Sequence, residues 1–195
     1  MLRPHSPSEY PSILLYVLDE THITVTAATA LTILFTRDAH VVWLALGALS
    51  SSLSAKVLKK MIRQPRPPPP PSSSKPSKIR PKKTYGFPST HSSALSFYFF
   101  YLLPLFSCLP TSSSIPLSPD VQRWGAGAAV TSYWAAGLWS RKELGYHTWG
   151  QILAGAAWGG VVAWAWGAVW EKFALQGPVQ GLIDGIWGAT VGRLI

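Results

Sequence analysis

Trp149-Gly-Gln-Ile-Leu-Ala-Gly-Ala-Ala-Trp-Gly-Gly-Val-Val-Ala-Trp-Ala-Trp-Gly-Ala-Val-Trp170 is an apolar run without a single charged residue. A helix needs about 20 apolar residues to cross a hydrocarbon core, so this stretch predicts a membrane span. Its small residues, Gly155, Ala156, Gly159 and Gly160, suit close helix packing in lipid. Working outward, three further spans are expected over Trp124 to Trp139, Leu95 to Leu109 and Val41 to Ala55. A fifth is centred on Ile23 to Phe35, preceded by an interfacial segment over Ile13 to Leu18. Between those two pieces lie Asp19-Glu20-Thr21-His22, which would be costly at mid-membrane. Asp19 and His22 are therefore expected to mark a solvated boundary. Trp and Tyr at several span ends match their preference for the interface. The expected fold is all-α, a polytopic transmembrane helical bundle of about five spans.

Composition agrees. Only 13% of the 195 residues are charged, against about a quarter in a soluble domain, while 48% are hydrophobic. The expected division is an N-terminal arm over 1–12, a membrane-embedded domain over 13–172 and a C-terminal tail over 173–195, with a Pro/Ser/Lys-rich loop over 68–83 inside the domain. Proline runs favour an extended conformation and build no helix core, so the loop reads as a flexible insertion between two working ends. The tail carries Leu182, Ile183, Ile186 and Trp187, enough for a short amphipathic or reentrant helix. The first ten residues lack the layout of a cleaved signal peptide, so insertion is expected to depend on the spans. The lone Cys108 forms no internal disulfide.

The formal charge of +9 is unevenly placed: ten of the 17 Lys and Arg fall from Lys56 to Lys83, with no Asp or Glu among them. Such a cluster suits phosphate or an anionic lipid surface. It lacks the interleaved aromatics that stack nucleic-acid bases, so a nucleic-acid partner is not expected. With five spans, the segment from Lys56 to Ser93 and the loop from Ser140 to His147 fall on the same membrane face. The positive-inside tendency alone would put that face in the cytoplasm.

Three short motifs lie on it. Lys59, six residues, then Arg66-Pro67 offers two cations for phosphate oxygens, although a snorkelling juxtamembrane patch has the same look. Pro88-Ser89-Thr90-His91 precedes a span. Ser89 or Thr90 suits its N-cap, and His91 stands beside the free amides of the first turn, placed for general acid work. Ser140-Arg141, five residues, then His147 supplies another guanidinium and an imidazole competent to attack phosphorus. Gln151, four residues on, shares a helical face with His147 and can fix its ring.

Together the motifs resemble the type-2 phosphatidic acid phosphatase family, with Lys-x6-Arg-Pro, Pro-Ser-Gly-His and Ser-Arg-x5-His in order; Thr90 replaces the usual Gly. The resemblance covers Lys59 to Gln151 and implies a lipid phosphatase without cofactor or metal. It implies that His147 attacks phosphorus to form a phosphohistidine. His91 then protonates the leaving oxygen and later activates water. Lys59, Arg66, Ser89, Thr90, Ser140 and Arg141 hold the phosphoryl group. Many members carry Asp where this chain has Gln151, which predicts weaker activation of the imidazole. Yet His147-Thr148-Trp149-x-Gln151 after Tyr146, and Tyr85-Gly86-x-Pro88-Ser89-x-His91, look like the dolichyldiphosphatase branch. That branch implies dolichyl diphosphate as substrate, a site facing the lumen of the endoplasmic reticulum, and service to protein N-glycosylation. Phosphatidate, another isoprenyl diphosphate or a sphingoid phosphate remain as substrates, and a non-catalytic membrane adaptor with a Pro-rich loop for an SH3 domain is the reading from another class.

Overall fold

The computed structural model of the chain describes residues 7–68 and 84–190. Most of the proline-rich loop read from the sequence therefore lies outside the described residues. Among those described, all regular structure is helical: α1 Ile13–Asp19, α2 Thr21–Thr36, α3 Ala39–Ile62, α4 Thr90–Leu102, α5 Pro119–Glu143, α6 Trp149–Lys172 and α7 Gln176–Thr190, with short 3-10 turns at Pro7–Glu9 and Leu103–Cys108.

The helix boundaries follow from local chemistry. Side-chain oxygens of Ser12, Asp38, Ser89, Ser118 and Thr148 cap α1, α3, α4, α5 and α6 by accepting first-turn backbone N–H groups. The expected span at Leu95–Leu109 is split: α4 starts at its Ser89 cap and gives way to the 3-10 turn at Leu103, because Pro104 can donate no backbone hydrogen bond. Among the described residues two helices, α3 and α6, are long and apolar enough to cross a membrane, and α2 is a shorter apolar helix. Leu49, Leu53 and Val57 on α3, Leu153, Val161 and Trp164 on α6, and Ile23, Leu31 and Leu34 on α2 all point outward. Apolar outer faces of this extent belong in lipid.

The core lies around α4, which packs on α6, α3 and α5. Closest is the α4–α6 pair. A Cβ at Gly155 would run into the Ser89 backbone, and one at Gly159 into Ser93 and Phe97. Small residues set that distance, as their spacing on α6 predicts. Hydrogen bonds then tie helices whose apolar surfaces gain little from contact in lipid. Ser51 and Ser93 Oγ meet at 2.8 Å, Trp134 Nε1 donates to Ser96 Oγ at 2.8 Å, and Trp158 Nε1 donates to Ser54 Oγ at 2.9 Å. Trp43 and Trp166 stack at 4.5 Å and donate to each other's carbonyls. Opposite the end of the bundle where the three motifs lie, α7 is held to the start of α3 by Gln180, which accepts from Ala39 N–H and donates to the Arg37 carbonyl.

The polar break at Asp19–His22 is the junction of α1 and α2. His22 is exposed, but Asp19 is only 5% exposed. Expecting a solvated boundary at Asp19 is corrected here: three side chains from elsewhere in the chain replace its water.

Candidate active site

The end of α3, the start of α4, the end of α5 and the start of α6 meet at one end of the bundle, around a polar cavity of about 330 Å³. Lys59, Arg66, Thr84, Thr90, His91, Arg141, Tyr146 and His147 line it, with Asp19, Glu20 and His22 from the α1–α2 junction. The two segments that span counting puts on one face are thus in one cavity.

Local backbone explains each motif's spacing. Lys59 sits in the last turn of α3, which ends at Arg63 in the left-handed conformation. The chain then runs extended past Gln64, whose carbonyl accepts Gly86 N–H at 2.7 Å, to Arg66. Arg66 is pinned by donation to the Thr84 carbonyl (2.8 Å), Thr84 Oγ1 (2.9 Å) and the Tyr146 carbonyl (2.8 Å). After Arg141, Gly145 takes a φ of 68°, a region that favours glycine, and His147 N–H turns back to the Arg141 carbonyl. Five residues between Arg141 and His147 are what this turn needs. Thr90 is the first residue of α4 and has no positive φ, so the position does not require the family's usual Gly.

His147 is nearly buried, and both ring nitrogens are assigned by their partners. Arg66 Nη1, which can only donate, lies 3.1 Å from Nε2; Nε2 therefore carries a lone pair. Nδ1 then bears the proton and donates to Gln151 Oε1 at 3.2 Å. That oxygen also accepts Thr148 N–H, while Gln151 Nε2 donates to the Pro65 carbonyl at 2.9 Å and to Gln64 Oε1 at 3.3 Å. The amide orientation is thus fixed by three neighbours. Burial first, then the charges of Arg66 and Lys59, lower the His147 pKa to about 3, so the imidazole is neutral.

Arg141 reaches the cavity with most donors committed. Nη1 donates to Asp19 Oδ1 at 2.6 Å, Nη2 to the Leu18 carbonyl at 3.2 Å, and both Nε and Nη2 to Ser140 Oγ. Asp19 Oδ2 accepts from Tyr10 at 2.5 Å and Tyr146 at 3.2 Å. Burial, then the Asp19 carboxylate, pushes both phenol pKa values well above their usual range and keeps them donors. Ser140 thus supports Arg141 from behind the cavity wall. Ser89 likewise serves α4, capping it through Oγ and donating its N–H to the Gln151 carbonyl. Thr90 and His91 face the cavity. Sequence reasoning missed Asp19, Tyr10 and Tyr146 as site components. For Asp19 the signal was a carboxylate beside an apolar run, which a boundary explains equally well, and Tyr146 entered only as a neighbour of the third motif. Among the described residues no group of His, Cys, Asp and Glu is arranged to hold a metal ion.

A family model, the PAP2 superfamily, matches residues 40–174. The chain belongs to the PAP2 superfamily. Within the superfamily it is similar to dolichyldiphosphatase 1 of Dictyostelium discoideum, 32% identical over 71% of this chain and 56% of that protein. It is similar to human dolichyldiphosphatase 1 at 29% over 69% of this chain and 54% of that protein. Lipid phosphate phosphatase epsilon 2, chloroplastic, of Arabidopsis thaliana is 26% identical over 74% of this chain and 44% of that protein. The chain spans about half the length of these relatives. No solved structure matches it. The superfamily match contains Lys59 through Gln151 and excludes Tyr10 and Asp19.

Proposed function

We propose that the chain is a membrane lipid phosphatase that hydrolyses dolichyl diphosphate to dolichyl phosphate and phosphate through a phosphohistidine at His147. The observation that carries this is the neutral His147 ring, its Nε2 lone pair held among Lys59, Arg66 and Arg141. Nε2, freed as the Arg66 Nη1–H turns from it to a phosphoryl oxygen, attacks the terminal phosphorus as the bond to the bridging oxygen breaks. His91 gives that oxygen its proton, and dolichyl phosphate leaves. A water whose proton passes back to His91 then attacks the phosphohistidine, breaking P–N and releasing phosphate. Lys59, Arg66 and Arg141 balance the charge that builds on the phosphoryl oxygens, with Thr90 as a neutral donor beside them. Gln151 holds the proton on Nδ1 while Nε2 reacts. Ser89 and Ser140 act by fixing α4 and Arg141.

The lipid chain has a path. An apolar groove of about 420 Å³ runs between α2, α3 and α4, from Ile33 past Val25, Leu49 and Leu95, and shares His22, Thr90 and His91 with the polar cavity. A phosphate in one places its hydrocarbon in the other. The likeness to dolichyldiphosphatase 1 and the Gln151 variant of the third motif favour a polyprenyl diphosphate over phosphatidate. With dolichyl diphosphate as substrate, the proposal includes a site facing the endoplasmic reticulum lumen in service of N-glycosylation. The likeness to lipid phosphate phosphatase epsilon 2 carries the second reading, another lipid phosphate as substrate. Purified enzyme assayed on dolichyl diphosphate, phosphatidate and a sphingoid phosphate decides between them: equal turnover of all three sinks the dolichyl assignment. No phosphate from any, with His147→Ala indistinguishable from wild type, sinks the phosphatase.

A further inference from the structure

We infer that Asp19, contributed by an N-terminal segment outside the superfamily match, is a positioning residue of the phosphate site: it holds the Arg141 guanidinium in register with the cavity. The inference rests on the functional reading above and adds a residue to it. Arg141 has five N–H hydrogens. Two go to Ser140 Oγ, one to the Leu18 carbonyl and one to Asp19 Oδ1, leaving one Nη1 hydrogen for a ligand in the cavity that Arg141 lines. The α1 terminus therefore supplies two of the three groups that set the guanidinium plane. Arg141 Nη1 and Asp19 Oδ1 lie 2.6 Å apart with side chains 2% and 4% exposed, so solvent screens the pair little.

Asp19 is itself fixed. Tyr10 and Tyr146 hydroxyls hold its second oxygen, and Tyr10, Leu15, Leu144 and Tyr146 form an apolar cluster that docks α1 on the turn between Arg141 and His147. One cluster thus secures the carboxylate, the arginine it grips and the loop that delivers the histidine.

The rival account has the opposite sign. A carboxylate lining a phosphate cavity repels phosphate, so if repulsion outweighs positioning its removal strengthens binding. Full-length Asp19→Asn, Arg141→Lys, the double variant and Tyr10→Phe separate the two. Two readouts suffice: kcat per folded enzyme on dolichyl diphosphate, and thermal stabilisation by inorganic phosphate. Asp19→Asn is expected to lose about a hundredfold in kcat, the scale of a misplaced catalytic contact, and about tenfold in phosphate affinity. The double variant falls no further than the worse single one, since both changes act on one contact. Tyr10→Phe moves both readouts the same way, less far. Wild-type kcat in Asp19→Asn, or tighter phosphate binding, overturns the inference. If Asp19→Asn does not fold, unchanged kcat and phosphate affinity in Tyr10→Phe overturn it. Loss of the functional reading looks different: wild type then turns over no lipid phosphate, and inorganic phosphate stabilises neither wild type nor Arg141→Lys.

Discussion

His147 Nε2 presents its lone pair to a guanidinium, and Gln151 holds the proton on the other nitrogen. Gln151 therefore does a job a carboxylate would do differently. In Gln151→Glu the oxygen facing Nδ1 is kept, but the group aimed at the Pro65 carbonyl and Gln64 Oε1 changes from donor to acceptor. The added charge also favours imidazolium, raising the His147 pKa. Turnover is expected to drop about tenfold at neutral pH, as for one charge-assisted contact, with the acid limb of kcat/KM moved to higher pH; a pH–rate series on both proteins measures it. His147 also links stability to pH. Its pKa is 6.5 in an ordinary environment and about 3 when folded, so the unfolded chain binds more protons in between. Its contribution is full above about 6.5 and is lost as pH falls towards about 3. Thermal melts of His147→Asn should lose part of the wild-type acid destabilisation in that window.

Among elements, the α4–α6 contact matters most, because α4 carries His91 and α6 follows directly on His147. Gly155 lies against the Ser89 backbone at the α4 cap, and Gly159 one turn deeper against Ser93. Gly159→Val should cost about 1–3 kcal/mol, the usual range for overpacking, measured as a lower unfolding midpoint in detergent. Gly155→Ala should lose proportionately more activity than stability, because the group displaced is the cap beside His91. The sequence made both glycines legible as packing positions, since small residues four apart share a helix face. The 3-10 continuation after Leu102 was not legible from hydropathy, which reads composition across Pro104. Asp19 was illegible for a different reason: its partners Arg141 and Tyr146, 122 and 127 residues away, are nearby only because α1 folds back on α5.

For the whole molecule, the site is closed by contacts that bypass residues 69–83. Arg66 grips Thr84, and Gly86 N–H bonds to the Gln64 carbonyl, so the two ends of that segment hold each other directly. Replacing 69–83 with a Gly-Ser linker of the same length should leave phosphate release within about twofold, since the ends are already held together and the closure cost of such a linker depends only slowly on its length. An adaptor acting through its prolines would instead lose its function. A glycosylation acceptor placed in the linker should be modified, as the luminal reading requires; an unmodified acceptor, reached by protease from the cytoplasmic side, would count against dolichyl diphosphate.

By itself the sequence determined the helical membrane architecture, the face on which the three motifs meet, and the His, Lys and Arg residues at that face. Span length, small-residue spacing and short motifs are local properties, and local properties survive in one dimension. Tertiary structure alone decided which donors were already spent. Arg141, expected to hold the phosphoryl group, gives most of its donors to Asp19, Leu18 and Ser140, and the ring tautomer of His147 is set by Arg66 from 81 residues away. A hydrogen bond between residues so distant in sequence leaves no periodic trace in it. Only the folded chain brings the two partners within reach.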